Sequence, residues 1–187
     1  AIVGVIPPNG GTFSMFSEIG GTGNDYFNGL GIGPNDTIYL TGYTTSTNFP
    51  LGAGASAATR LRATSIGGED GIIGKLPRTG NSGAGDPWVA TYFGGSGNDR
   101  GNTIRTYAFG TGLMIFGETG SSVTTGTNRF PVQNLDDGGT FYDSTFNGGT
   151  WDIFWLATGT NLQQEFFCTY VGGSQNDYLG ETGTPAG

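Results

Sequence analysis

The double glycine in "YFGGSGNDRGNTI" (Tyr92–Ile104) occurs three times, and that recurrence constrains the fold more than any other feature of the chain. The copies read "SEIGGTGNDYF", "ATYFGGSGNDRG" and "CTYVGGSQNDYLG". Gly20, Gly94 and Gly172 lead them, 74 and 78 residues apart, and Asp25, Asp99 and Asp177 take the same place in each. Three further matches follow in the same order. "IYLTGYT" (Ile38–Thr44) pairs with "LMIFGET" (Leu113–Thr119), and "NFPL" (Asn48–Leu51) with "RFPV" (Arg129–Val132). "GGEDGIIGKL" (Gly67–Leu76) pairs with "GGTWDIFWLA" (Gly148–Ala157), which aligns Asp70 with Asp152. The chain divides accordingly: residues 1–15 form an N-terminal lead-in, 16–93 repeat 1, 94–171 repeat 2, and 172–187 the start of a third.

Each repeat offers four strand candidates. In the first they are Tyr26–Gly33, Thr37–Thr44, Gly71–Leu76 and Trp88–Phe93; in the second, Asn102–Phe109, Gly112–Glu118, Asp152–Ala157 and Glu165–Val171. The 38 glycines lack a triplet period, and with 3 Trp, 8 Tyr and 13 Phe they suit short strands joined by tight turns. "LMIF" and "IFWLA" are continuously apolar, which predicts burial on both faces, as in radially stacked sheets. Gly42 and Gly117, inside strands, predict close backbone approach. The expected fold is all-β: β-propeller-like repeats of four-stranded antiparallel blades, part of a larger propeller or array, because two blades do not close a ring.

The ordered motifs "GG-S-G-N-D-Y", "IYLTGYTTSTNFP", "GG-x-D-x-I-x-K-L" and "W-x-A-T-Y-x-GG" closely resemble the SBBP family of β-propeller repeats, over Phe16 to Leu179. "GGTFYDSTFNGGTWDIFW" is similar to the form found in surface proteins of Bacteroidota and their relatives. The resemblance implies a large, secreted parent protein at the cell surface, of a kind often exported by type IX secretion. Repeat 1 departs from the pattern, with "GAGASAATRLRATSIGGEDG" replacing the aromatic segment, so one loop is expected to differ in shape.

A net charge of −8 with no basic cluster argues against nucleic acid and anionic membranes as partners. No apolar run is long enough for a transmembrane helix, and the opening "AIVGVIPPNGG" has no charged leader ahead of its apolar residues. The lone Cys168 in "FFCTYV" reads as a buried strand thiol. The absence of histidine removes His-dependent triads and His metal sites.

Several motifs imitate sites. "GGTGNDYFN" (Gly20–Asn28) fits a calcium nonapeptide, which makes Asp25, Asp99 and Asp177 metal candidates. Calcium nonapeptides work in tandem, however, and these copies are far apart, so turn chemistry is the preferred reading and no cofactor is expected. "NLDDGGTF" (Asn134–Phe141) resembles a sialidase Asp-box, itself a structural turn, and Asp136–Asp137 reads as a solvated pair. Sialidase chemistry needs clustered arginines, whereas Arg60, Arg62, Arg78, Arg100, Arg105 and Arg129 are spread along the chain. Tyr43, Phe49, Phe130, Tyr142 and Phe146 could stack on sugars, but core or loop-stapling roles are the preferred reading; of these, Tyr142 and Phe146 are kept as candidates for partner or glycan contact. Thr37 and Ser144 sit in D-S/T-x strings like those of Bacteroidota O-glycosylation, and "NDT" (Asn35–Thr37) is also a sequon.

The expected function is that of a non-catalytic extracellular module with a structural or adhesive role. Its partners would be other protein chains, the remaining repeats of the same protein or a surface glycan. Function would be carried on the variable loops Leu51–Gly67 and Gln133–Gly148. Two alternatives remain open: a subunit of an extracellular fibre or envelope complex completed by neighbouring chains, and part of a glycan-active propeller whose catalytic residues lie elsewhere.

Overall fold

The computed structural model describes residues 1–12, 15–52, 60–77, 88–107, 110–122, 125–134 and 142–180. The alternation of β-branched and aromatic residues with glycine-rich corners produces ten strands: β1 (Ile2–Val5), β2 (Met15–Glu18), β3 (Asp25–Ile32), β4 (Thr37–Thr44), β5 (Asp70–Pro77), β6 (Val89–Phe93), β7 (Asp99–Tyr107), β8 (Gly112–Thr119), β9 (Asp152–Gly159) and β10 (Glu165–Val171). All pairing is antiparallel. β1 and β2 form a hairpin, and two four-stranded meanders follow, β3-β4-β5-β6 and β7-β8-β9-β10. Each expected strand lies within one of these eight, or overlaps it at a shifted end. No α-helix occurs among the described residues, and none of their helices is long and apolar enough to cross a membrane.

The two meanders repeat each other in register. Asp25 pairs with Thr44 and Thr44 with Asp70; Asp99 pairs with Thr119 and Thr119 with Asp152. The register slips once in each leading strand, between Phe27 and Gly29 and between Gly101 and Thr103, so Asn28 and Asn102 are bulged. Gly42 and Gly117 sit opposite these bulges, where a Cβ would lie 1.9 Å from the Tyr26 or the Arg100 carbonyl oxygen. The expected close approach at these glycines therefore occurs, and it is caused by the bulged neighbouring strand.

Strand periodicity sorts the side chains into two cores. On one face of the first meander, Ile38, Leu40, Ile72, Ala90 and Tyr92 pack with Val3 and Ile19 of the hairpin. On its other face, Tyr39, Ile73, Val89 and Phe93 pack with Ile104, Leu113, Ile115, Phe154 and Tyr170 of the second meander. The order of layers is hairpin, first meander, second meander, with β7 lying against β3, β4 and β5. The first meander is thus covered on both sides, whereas the continuously apolar runs lie in the second: in "IFWLA", Phe154, Leu156 and Ala157 are buried, while Ile153 and Trp155 are only half-buried. The "LMIF" run behaves differently from expectation: Leu113 and Ile115 are fully buried, while Met114 and Phe116 are only half-buried.

Candidate functional site

Two of the recurring aspartates, Asp25 and Asp99, open strands, where the sequence suggested turns. Asp25 is the first residue of β3, and its carboxylate accepts from the Gly21 amide (2.8 Å), the Ser46 hydroxyl (2.9 Å) and the Thr44 hydroxyl. Asp99 opens β7 and accepts from the Gly95 amide (2.8 Å), the Ser121 hydroxyl (2.9 Å) and the Thr119 hydroxyl. Asp177 accepts from the Gly173 amide at 2.7 Å. The second glycine of each double therefore donates to the aspartate, and the Thr-x-Ser that ends the next strand supplies two hydroxyls. Among the described residues no group of three or more His, Cys, Asp or Glu is placed to hold a metal.

The same corners also join consecutive sheets. Asn98 accepts from the Glu69 amide at 3.1 Å through its side-chain oxygen, and the Asp99 amide donates to the Glu69 carbonyl at 2.8 Å. One repeat later, Asn176 accepts from the Thr150 amide and the Asp177 amide donates to the Trp151 carbonyl at 2.9 Å. Arg100 adds a two-pronged ion pair with Glu69, at 2.6 and 3.0 Å, and lies over the rings of Tyr43 and Trp151. Completely buried at this junction, the Asp99 carboxyl is pushed up to about 6; its hydrogen bonds offset part of the burial effect, and Asp70 nearby adds to it. Burial raises the Asp152 carboxyl as well, with Asp177 and Asp143 contributing. One oxygen of Asp70 and one of Asp152 are buried without a hydrogen-bond partner.

Folding gathers three of the arginines that are scattered in sequence. Arg60, Arg62 and Arg129 line a cavity of about 410 Å³ with Gln133, Gln164 and Glu165. Arg62 donates to the Thr127 and Arg129 carbonyls, both at 3.0 Å, and Arg129 faces Glu165 at 3.4 Å. Burial lowers the Arg62 guanidinium and raises the Glu165 carboxyl, the latter held back by Arg129. Arg60 and Arg62 lie in the one segment where the repeats diverge, so no spacing or repeat position pointed to this grouping.

Phe49 and Phe130 are buried, as expected of core aromatics; Tyr43 instead stacks on Tyr26 at the surface end of β4. Tyr142 borders a depression of about 450 Å³ beside Trp155 and Val171. Phe146 is half-buried, edge-on to the Tyr170 ring at 6.0 Å, which fixes its loop to the sheet. Thr37 begins β4, and Ser144 is exposed in the turn that Asp143 caps through the Thr145 amide. Cys168 is buried, its thiol pushed well above the ordinary range by burial. Asp136, Asp137, the rest of 135–141, Arg78 and residues 53–59 of the first variable loop lie outside the described residues. No protein-family model matches the chain, and no curated protein matches it.

Proposed function

We propose that the chain is a non-catalytic extracellular repeat module of the β-propeller type, similar to SBBP repeats, whose role is structural and adhesive. One observation carries this reading: the Gly-Gly…Asn-Asp corner repeats the same glycine-to-aspartate bond three times, and twice its Asn side chain and Asp amide hold main-chain groups of the preceding sheet. Its polar groups are spent on holding sheets together, the chemistry of a scaffold. Partner contact then falls to the surfaces around the corners. The Arg60–Arg62–Arg129 cavity suits an anionic group, and the depression beside Tyr142 and Trp155 offers aromatic surface to a glycan.

A glycan array probed with the folded chain, together with a panel of glycoside substrates, tests the reading. Binding without turnover is the expected result, weakened by Tyr142→Ala or by Arg62→Ala. Turnover of any glycoside, abolished by a substitution in this chain, overturns the non-catalytic assignment. A second reading, a subunit completed by neighbouring chains, is favoured by the exposed apolar pair on one face of β3, Leu30 at 51% and Ile32 at 52%. A monomer at every concentration in sedimentation removes it.

A further inference from the structure

The hairpin at the start of the chain repeats the outer half of a meander. "AIVGVI" (Ala1–Ile6) aligns with "GIIGKL" (Gly71–Leu76). The pairings Ile2↔Glu18, Val3↔Ser17, Gly4↔Phe16 and Val5↔Met15 reproduce Ile72↔Tyr92, Ile73↔Thr91, Gly74↔Ala90 and Lys75↔Val89. Reciprocal bonds between Ala1 and Ile19, at 2.8 and 2.9 Å, extend the ladder where Gly71 pairs with Phe93. The packing agrees. Val3 and Ile19 cover the first meander, just as their counterparts Ile73 and Phe93 cover the second. β1 and β2 therefore hold the positions of a third and a fourth strand, and the first double glycine follows them as the later ones follow β6 and β10.

At both later junctions the next Asn-Asp grips the corner that leads into the third strand, Gly67–Asp70 or Gly148–Asp152. Asp152 shows how its carboxyl is received. A Cβ on Gly172 would lie 2.8 Å from the unpartnered oxygen of Asp152 and 2.9 Å from Asp177. At Gly20 the same point lies 2.7 Å from the Asp25 carboxylate and 3.6 Å from the Ala1 nitrogen. There a cavity of about 610 Å³ is lined by Ala1, Glu18, Gly20, Asn24, Asp25 and Tyr26. Thr45 donates to the Asn24 carbonyl at 2.9 Å, so strand alternation turns the Asp25 amide away from β4, as at Asp99.

Resting on the stacking reading above, we propose that this cavity is a docking socket for an extended, acidic Gly-Gly-X-Asp corner. Asn24 accepts the amide of residue X through its side-chain oxygen, the Asp25 amide donates to the X carbonyl, and the corner's Asp sits against Gly20. The occupant is inferred from the first internal junction, where Asn98 and Asp99 hold the amide and carbonyl of Glu69 in Gly67–Asp70; at the second, Asn176 and Asp177 hold a corner one residue longer, through the Thr150 amide and the Trp151 carbonyl.

Fusing Ile-Gly-Gly-Glu-Asp, the sequence of Ile66–Asp70, directly ahead of Ala1 presents the corner at high effective concentration. A Gly-Ser extension of equal length is the control. The expected result is a Tm about 2–4 °C above the control and slowed hydrogen exchange at the Asp25 amide. Both gains should vanish when Asn24→Ala is carried in the extended chain and in its Gly-Ser control alike, each extended form being read against the control with the same substitution. Equal Tm values for the two extensions, or a gain that survives Asn24→Ala, overturn the socket. The Asp99 amide, read in the same exchange experiment, reports the stacking of the two meanders separately. Protection at Asp99 with none at Asp25 sinks the socket and leaves the stacking reading standing.

Discussion

Strands β3 and β7 hold the same place in their meanders, carry the same bulge and open on the same aspartate, yet they meet different surroundings. Leu30 on β3 is 51% exposed, while its counterpart Ile104 on β7 is 0% exposed, wedged against the first meander. Asp25 is partly accessible; Asp99 is fully buried. Internal hydrogen bonds are alike in the two copies, so each corner is complete within its own sheet. What differs is the neighbour. A repeat builds itself locally and acquires its buried face only from the sheet before it.

This contrast is sharpest at the apolar pair. Ile104→Ala should cost about 2–5 kcal/mol, because the side chain is surrounded by both sheets. Leu30→Ala should cost under about 1 kcal/mol. Equal losses in urea denaturation would mean that β3 is covered in solution, the outcome the assembly reading requires.

Next in size is a pH effect confined to the buried corner. The Asp99 carboxyl rises from 3.8 to about 6 on folding, so the folded state keeps its proton to higher pH than the unfolded chain. Its contribution is full below about pH 4 and is lost as pH rises through 6, up to about 3 kcal/mol in total. Asp152 and Glu165, also raised by burial, add in the same direction; Asp143, lowered chiefly by the Asn147 hydrogen bond, opposes them. Asp99→Asn should flatten the stability profile between pH 4 and 7. A profile that Asp99→Asn does not alter would place the titration elsewhere.

Truncating the same two side chains separates local from junction roles. Asp99→Ala leaves the Gly95 amide and the Thr119 and Ser121 hydroxyls unpaired in a buried site, a loss of about 2–3 kcal/mol. Asp25→Ala removes equivalent bonds where water can replace them, and should cost about 1 kcal/mol. The reverse order would mean that the corner contributes more as a turn than as a junction.

Ordered motifs made the eight meander strands legible, because glycine corners and β-branched runs act over a few residues. What stayed hidden depends on neighbours distant in sequence. The likeness of "AIVGVI" to "GIIGKL" is short and lacks its Gly-Gly-X-Asp corner, so the hairpin read as a lead-in until its register was visible. Arg60, Arg62 and Arg129 gave no pattern, since their grouping arises where a divergent loop crosses from one sheet to the next. The aspartates looked like turn residues because Gly and Asn surround them. Asp25 and Asp99 begin strands because Thr44 and Thr119 stand opposite and satisfy them.

The smallest expected effect concerns the ion pair that only the middle junction has. Arg100 occupies the position of Tyr26 and Tyr178, and its side chain and that of Glu69 are 33% and 21% exposed. At that accessibility the pair contributes at most about 1 kcal/mol, and salt weakens it. Its geometry nevertheless specifies more than charge: the planar guanidinium meets Glu69 with two nitrogens while lying 4.8 Å from the ring centroids of both Tyr43 and Trp151. Arg100→Lys keeps the charge and loses the fork and the stacking, so it should lose most of the stabilisation that Arg100→Met loses. Glu69→Gln should cost less than either, because the ring contacts remain. If Arg100→Lys instead matched the native chain at low salt, the junction would be using Arg100 as a bare charge, and the corners of Asn98 and Asp99 would alone account for how the two sheets are held.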